Sequence, residues 1–256
     1  GFIKYYQGDL ENAMSIWNES LSIRLKILGQ RSLDVANCYN NLAAAADAKG
    51  EGSKSIEYNQ KSFDIRIDIL GPEHLEVANS YNNFGNYYHA IGEYDKSIEN
   101  HLKALGIRIK LLGPNHPDVA SSYDNMGNTL SIKGDYDQAL QYQLTSLEIR
   151  VKSLGPGDYY VASSYNNLGV TYEKMSQYDK AITFHLKCLD VLQKILGMDH
   201  PNLANSYNNL GVCYEFKSEF EKAILYHFKA LEKKKKMFGD NHPYVAVSYG
   251  NLGKTY

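Results

Sequence analysis

The chain has 256 residues, and its 27 lysine and arginine residues nearly balance its 29 aspartate and glutamate residues, which leaves a net charge of −2. This balance does not suggest binding to a nucleic-acid backbone, which needs clustered positive charge. No apolar run reaches the roughly 18 residues that a membrane-spanning helix requires, and no signal-peptide pattern opens the chain. We therefore expect a soluble cytoplasmic protein that binds neither nucleic acid nor membrane.

The three cysteines, Cys38, Cys188 and Cys213, form no C-x-x-C pair. Cys38 occupies a position that is serine in other repeats of the chain, and Cys188 one that is alanine in others. We interpret them as small buried residues of a reducing compartment and predict neither a disulfide framework nor a zinc framework.

An alanine recurs every 42 residues along the chain, at Ala36, Ala78, Ala120, Ala162, Ala204 and Ala246, and a Tyr-Asn-Asn phrase or a close variant follows it. A constant period of this size is typical of stacked repeats. The period predicts a single array over residues 1–256, which we expect to be an excerpt of a longer chain. Its predicted parts are a partial repeat 1–33, full repeats 34–75, 76–117, 118–159, 160–201 and 202–243, and a partial repeat 244–256.

Each full repeat carries two helical patterns, which we call helix A and helix B. In the middle of the chain, apolar residues at three- and four-residue steps predict helix A over Pro117–Lys133, with the proline in its first turn. Gly134 ends this helix, and a longer helix B is predicted from Tyr136 to Leu154, closed by Gly155. One such hairpin buries too little apolar surface to stand alone, so neighbouring hairpins must share a core. The predicted fold is all-α, an α-solenoid superhelix of stacked antiparallel helix pairs.

The order Tyr81, Phe84-Gly85, Tyr88, Gly92, Tyr94, Ser97-Ile98 and Leu105 resembles the tetratricopeptide repeat (TPR), and the same order returns from Tyr165 to Leu189. Eight further residues lengthen the end of helix B, as in Ile107–Leu112. With the connector Leu112–Ala120, this looks like the 42-residue class of kinesin light chains. The resemblance covers essentially the whole chain. It implies that the A helices line a concave groove that binds extended or short helical peptides of partner proteins.

Carried over residue by residue, the groove would be lined by side chains on the helix A face opposite the apolar stripe. These are Asn37, Asn40, Asn79, Asn82, Asn86, His89, Asp124, Asn128, Asn166, Val170, Glu173, Asn205, Asn208, Val212 and Glu215. An asparagine amide both donates and accepts hydrogen bonds, so a row of them can hold a peptide backbone.

The two asparagines of the Tyr-Asn-Asn phrase are predicted to differ in role. The second is the same in every repeat, from Asn41 to Asn251, and we assign it to a hydrogen bond between helices. The first varies, being Asp124 in one repeat, and is the better candidate for ligand binding. Specificity is expected from the polar Asn86 and Asn128 in the first half and from the apolar Val170, Val212 and Phe216 in the second. Asp124, Glu173 and Glu215 should favour basic or neutral ligands.

The histidines recur at two repeat positions and could be mistaken for a metal or catalytic set. His74, His116, His200 and His242 stand at the start of helix A, and His101, His185 and His227 stand on helix B. Equivalent residues of neighbouring repeats lie about 10 Å or more apart, too far to share a metal ion. We expect a connector or capping role for the first set, and no metal, cofactor or catalysis, because no nucleophile–base set or phosphate-binding loop stands out either.

Three functional hypotheses follow. The first is a non-catalytic scaffold or adaptor, of the kinesin light chain-like cargo kind and with a place near the cytoskeleton. The second is a structural spacer that associates end to end with other copies. The third is a sensor array attached to a catalytic domain outside this sequence.

Overall fold

The computed structural model describes residues 1–255, without the side chain of Tyr6, so Tyr256 of the predicted partial repeat lies outside the described residues. Every regular element described is a helix. They are α1 (Phe2–Tyr6), α2 (Leu10–Leu28), α3 (Leu33–Ala48), α4 (Gly52–Leu70), α5 (Leu75–Ala90), α6 (Tyr94–Leu112), α7 (Pro117–Lys133), α8 (Tyr136–Leu154), α9 (Tyr159–Lys174), α10 (Tyr178–Leu196), α11 (Leu203–Phe216), α12 (Phe220–Phe238) and α13 (Pro243–Thr255). The all-α prediction is confirmed. None of the described helices is long and apolar enough to cross a membrane.

Helices α3, α5, α7, α9 and α13 begin at side chains that accept a hydrogen bond from the backbone N–H two residues further on. The acceptors are Ser32, His74, His116, Asp158 and His242. His200 accepts the same bond from Asn202, but α11 begins only at Leu203, with Asn202 as its N-cap residue. In the histidines the acceptor is Nδ1, at 3.1–3.2 Å from the backbone nitrogen. Such a bond satisfies one of the backbone donors that the first turn leaves free. The predicted capping role is confirmed for His74, His116 and His242, whereas His200 lies in the connector before α11.

Left-handed residues end the helices where the sequence predicts a break. Gly134 and Gly155 have φ of 99° and 87°, and the N–H of each bonds to the carbonyl four residues before it. One and two repeats after Gly134, the same turn holds Ser176 and Ser218 at φ of 58° and 60°. A side chain in this region costs energy that glycine avoids, so the turn is kept at these two positions against local preference.

The chain divides into two compact units, Gly1–Pro114 and Asn115–Tyr256. In unit 1, α3 pairs with α4 and α5 with α6, while α2 packs on α3 and α4 on α5. In unit 2, the pairs are α7 with α8, α9 with α10 and α11 with α12, joined by packing of α8 on α9, α10 on α11 and α12 on α13. Within each unit, every helix packs on its neighbours in sequence, as expected of stacked hairpins. The single array over residues 1–256 stays a prediction.

The apolar core of each unit lies between consecutive helices. Val35 and Leu42 are fully buried in unit 1, and Leu203 and Leu210 in unit 2. The three cysteines are buried, as predicted.

The buried face of helix B is more polar than its apolar pattern predicted. In α8, Gln143, Ser146 and Arg150 are all at most 4% exposed, whereas the apolar Leu154 is exposed. Gln143 and Arg150 reach polar groups on the neighbouring A helices. A polar group can be buried when it finds a hydrogen-bond partner, and an apolar-only pattern misses this option.

The mid-helix glycines of the A helices lie against a side chain of helix B. A Cβ added to Gly85, Gly169 or Gly211 would lie 2.5–2.6 Å from a ring carbon of His101, His185 or His227. At Gly127 the neighbour is Gln143, whose Cγ would lie at 2.6 Å. In α3, Ala43 takes the position of the glycine. The residue opposite it on α4 is Asn59, which is smaller than the histidine or glutamine of the other repeats, and the two line a recess together. The predicted close contact is confirmed. The residue on helix A and the one facing it on helix B occupy one limited volume, so a larger side chain on one helix requires a smaller one on the other.

Candidate functional site

The predicted groove residues of unit 1 lie on α3 and α5, and they differ in exposure. Asn37, Asn79 and Asn86 are exposed, whereas Asn40, Asn82 and His89 are half-buried. Burial lowers the pKa of His89 from its ordinary value, so this ring is neutral at neutral pH. Together, this face offers neutral hydrogen-bonding groups.

Asparagines of successive repeats bond to each other in a ladder. In unit 1, Nδ2 of Asn83 donates to Oδ1 of Asn40 at 3.1 Å. In unit 2, Asn209 donates to Asn166 at 3.0 Å and Asn251 to Asn208 at 2.7 Å. The predicted inter-helix role of the second asparagine is confirmed for these residues. The sequence did not predict that its acceptor is the first asparagine, the residue assigned to ligand binding.

Asp124 takes the first-asparagine position in α7, but it is only 6% exposed. Its Oδ2 accepts from Asn167 at 3.0 Å and from the buried guanidinium of Arg150 at 3.2 Å. Its charge is therefore balanced inside unit 2. The expectation that Asp124 adds negative charge to the groove needs correction, because Arg150 neutralises it and its own helix pair covers it.

Buried arginines on helix B hold the outermost asparagines of unit 1. Arg66 donates from Nη2 to Oδ1 of Asn37 at 3.1 Å, and Arg108 donates to Asn79 at 2.9 Å. Both arginines are at most 8% exposed. The 42-residue step that joins Arg66, Arg108 and Arg150 was visible in the sequence, and it could have indicated this role.

A recess of about 200 Å³ opens in unit 1 between α3, α4 and α5. Its polar lining includes Asn40, Asn59, Asn83 and Asn86, so it brings two predicted groove residues together. Amide groups around a recess of this size can donate to a carbonyl and accept from an N–H, which is the pattern that a peptide bond presents.

The predicted residues of unit 2 combine apolar and acidic side chains. Val170 and Val212 are half-buried, as are Asn166, Asn208 and Glu215, while Asn205 is exposed. Asn128 accepts from Nε2 of Gln143 at 3.0 Å. Oε2 of Glu215 lies 3.7 Å from Nε2 of the buried His227. This face is less polar than that of unit 1 and carries two carboxylates.

Glu173 lies in a cluster that the sequence did not predict. Its Oε2 is 4.0 Å from Nε2 of His185 and 3.9 Å from Sγ of Cys213, and the three ligand atoms all lie within 4.8 Å of one another. Burial raises the pKa of the Glu173 carboxyl and lowers that of His185 to about 4. Burial, together with the nearby Glu173, raises the pKa of Cys213 to about 12. Equivalent positions of the repeats do not indicate this cluster. Its three members lie at three different repeat positions, on α9, α10 and α11.

The family model of the tetratricopeptide repeat matches residues 1–67, 48–110, 87–152 and 160–236 of this chain. These matches cover well over half of the sequence. A search of curated protein sequences finds no match.

Several solved structures share the fold. BtubC (BKLC) from P. vanneervenii is 23% identical, with a TM-score of 0.75 over 91% of this chain and 94% of that one. A protein described as a kinesin light chain from Podosopora anserina, with nearly identical TPR-like repeats, is 19% identical, with a TM-score of 0.65 over 79% and 96%. A signal-transduction ATPase with a tetratricopeptide repeat sensor from Pyrococcus horikoshii is 19% identical, with a TM-score of 0.73 over 99% and 37%. At these identities the likeness indicates the fold alone.

Proposed function

Because the chain belongs to the tetratricopeptide repeat family, we propose that it is a non-catalytic scaffold that binds peptide segments of partner proteins. The binding surface is the face of the A helices within each unit, with the residues named above. The fold presents these side chains on rigid helices, and rigid presentation lowers the entropy cost of binding.

The observation that carries this proposal is the asparagine ladder. Each ladder bond engages Oδ1 of Asn40, Asn166 or Asn208 and so fixes the orientation of the amide. The Nδ2 group of Asn166 and Asn208 donates to no other side chain in the described part of unit 2. An oriented amide of this kind can donate to a peptide carbonyl without first losing side-chain freedom.

Selectivity then comes from the neighbouring positions. Around Asn86 and His89, unit 1 suits a polar peptide segment. In unit 2, Val170 and Val212 suit an apolar side chain, and Glu173 and Glu215 favour a basic or neutral peptide over an acidic one. This extends the proposal to an adaptor of the kinesin light chain kind, which recognises short segments of its cargo.

The test replaces the donor but keeps the ladder. Asn40→Asp, Asn166→Asp and Asn208→Asp, combined in one variant, retain an oxygen for the next asparagine, as Asp124 does for Asn167. They remove the amide donor and place charge near a peptide carbonyl. Peptides are first selected by display on the intact chain, and affinity is measured by fluorescence anisotropy. We expect binding to weaken by about 10-fold or more, because each hydrogen bond contributes roughly 0.5–1.5 kcal/mol.

The matched control adds the same charge elsewhere. Asn18→Asp, Gln138→Glu and Gln141→Glu change exposed residues of α2 and α8, both B helices. This control should bind the selected peptides as the wild type does. Equal affinity in the wild type and in the Asn40/Asn166/Asn208 variant would contradict binding on this face.

Two other roles remain as alternatives. End-to-end association of a spacer would use exposed apolar side chains such as Tyr244, Val247 and Tyr249 on α13. A chain that sediments as a monomer at concentrations where it binds peptides would contradict that role. A sensor array is the other alternative, because the Pyrococcus ATPase carries its repeats as a sensor.

A further inference from the structure

We propose that Glu173, His185 and Cys213 bind one divalent metal ion of the zinc class inside unit 2. The three residues lie on the consecutive helices α9, α10 and α11. They supply a carboxylate oxygen, an imidazole nitrogen and a sulfur, which are the three donor types that zinc sites use. This site goes beyond peptide binding and does not depend on it.

The donor atoms are close enough to converge on one ion. Oε2 of Glu173 lies 4.0 Å from Nε2 of His185 and 3.9 Å from Sγ of Cys213, and the three donors lie within 4.8 Å of one another. Around tetrahedral zinc, with bonds of about 2.0–2.3 Å, donors are separated by roughly 3.3–3.8 Å. Small side-chain rotations therefore suffice, without movement of the helices.

The imidazole of His185 has no other partner. The residue has no exposed surface, and neither Nδ1 nor Nε2 has a hydrogen-bond partner. Buried polar atoms are nearly always satisfied. The ring nitrogens of His227 also lack partners, but among the described histidines only His185 forms a group with both a carboxylate and a thiol. A coordinated cation would satisfy the nitrogen that faces Glu173.

The preceding repeat shows what the same positions do without metal donors. Ser131, Gln143 and Thr171 stand 42 residues before Glu173, His185 and Cys213. The Thr171 hydroxyl lies 3.0 Å from Oγ of Ser131 and 2.9 Å from Oε1 of Gln143, so that set is internally bonded.

The following repeat keeps a carboxylate and an imidazole but not the thiol. Its set is Glu215, His227 and Thr255, and the Thr255 hydroxyl donates to the backbone carbonyl of Asn251. Among the described residues, three candidate metal donors meet within 4.8 Å in the Glu173 set and in no other.

The donor set also selects the class of ion. A thiolate and an imidazole favour zinc and neighbouring transition metals over magnesium and calcium, which prefer oxygen ligands. Three protein donors leave a fourth position for water or another ligand. The Glu173 side chain is 28% exposed, so solvent reaches the cluster at this residue.

The experiment uses cobalt as a spectroscopic probe of the intact chain. The protein is purified in reductant, treated with a chelator that is then removed, and titrated with Co²⁺. We expect one equivalent to bind with a thiolate-to-cobalt charge-transfer absorption, which added Zn²⁺ removes by displacement. Elemental analysis after gel filtration should then find one zinc per chain.

Four variants locate the site. Cys213→Ser and His185→Gln should weaken binding by at least about 100-fold, the upper end of what losing a supporting partner of a metal ligand costs. Glu173→Ser, His185→Gln and Cys213→Thr, combined in one variant, install the residues of the preceding repeat, which this fold already accepts. That variant should keep the helical circular dichroism spectrum and bind no cobalt. Cys188→Ala is the control for a buried cysteine outside the cluster and should bind as the wild type does.

Two results would overturn the proposal. One is a wild-type chain that shows no charge-transfer absorption and retains no zinc. The other is metal binding that survives Cys213→Ser, or that Cys188→Ala reduces just as much.

Discussion

Two neighbouring repeats of unit 2 place different chemistry at the same backbone positions. In the α7–α8 repeat, two buried polar side chains of helix B are bonded to helix A: Arg150 donates to Asp124, and Gln143 donates to Asn128. In the α9–α10 repeat, the position of Arg150 holds the buried apolar Leu192.

The repeats also differ opposite the glycine of helix A, where the second carries His185 with unsatisfied ring nitrogens. The difference shows that helix pairing limits the size of the side chains at these positions, but it does not require them to be polar or apolar. In one repeat the buried polar groups can therefore bond to each other and stabilise the fold, while in another they stay available to bind a ligand.

The largest predicted effect tests the buried ion pair. Arg150 and Asp124 have side chains only 5% and 8% exposed, so Arg150→Leu leaves a carboxylate without a counter-charge. Removing one partner of a buried pair costs about 3–5 kcal/mol, and we expect a loss of this size in the free energy of unfolding. Urea denaturation followed by circular dichroism measures it.

The control for this change copies the next repeat. Asp124→Asn with Arg150→Leu reproduces Asn166 and Leu192, which stand 42 residues later. This double variant should unfold close to the wild type, because an apolar replacement for a whole buried pair is often neutral. If Arg150→Leu alone were as stable as the double variant, the buried Asp124 carboxylate would not need the charge of Arg150, and the contrast between the two repeats would be wrong.

The second prediction concerns pH and the position opposite the glycine. Burial, with smaller contributions from His89 and Arg108, lowers the pKa of His101 to about 4. The unfolded chain, with a histidine pKa near 6.5, therefore binds more protons at acidic pH. Stability contributed by neutral His101 is fully present above about pH 6.5 and is lost as the pH falls towards 4, by about 3 kcal/mol in total.

The measurement compares the wild type with His101→Gln, because glutamine occupies the equivalent position 143. Urea unfolding at several pH values between 7 and 4 should show the wild type losing more stability than the variant. Other acid-sensitive groups act in both proteins and cancel in the difference. Parallel pH profiles would contradict the assigned burial effect.

The smallest effect tests the size limit itself. Gly211→Ala places a Cβ 2.6 Å from Nδ1 and 2.9 Å from Cγ of His227, so the ring must move. Overpacking costs about 1–3 kcal/mol, while alanine regains about 1 kcal/mol of helix propensity, so we expect a net loss of about 1 kcal/mol.

Adding His227→Asn to that change copies Ala43 and Asn59 of unit 1. The two substitutions should then couple favourably in a double-mutant cycle, since the smaller amide makes room for the methyl group. Additive effects would mean that the two positions do not share one volume.

The sequence predicted the elements of this fold because each helix carries its own start and stop signals. The bounds of α7 and α8 follow from Pro117, Gly134 and Gly155, and they agree with the structure. The inter-helix role of the second asparagine was also predictable, because the residue does not change between repeats.

The candidate sites were predicted less well, for a physical reason. Which polar group a side chain meets depends on contacts between repeats, not on its own helix. Asn209 finds its acceptor 43 residues away, and Glu173, His185 and Cys213 are separated by 12 and 28 residues. A period shows which positions are alike, but it does not show which unlike positions touch.

The asparagine ladder also bears on how such a chain can change its length. Each of these repeats supplies one amide donor to the repeat before it and one acceptor to the repeat after it, as Asn209 and Asn208 do within a single helix. A gene rearrangement that duplicates or deletes a whole period therefore leaves every amide matched. An insertion of any other length would strand a donor in a half-buried seam, so growth by complete copies is the change that the ladder tolerates.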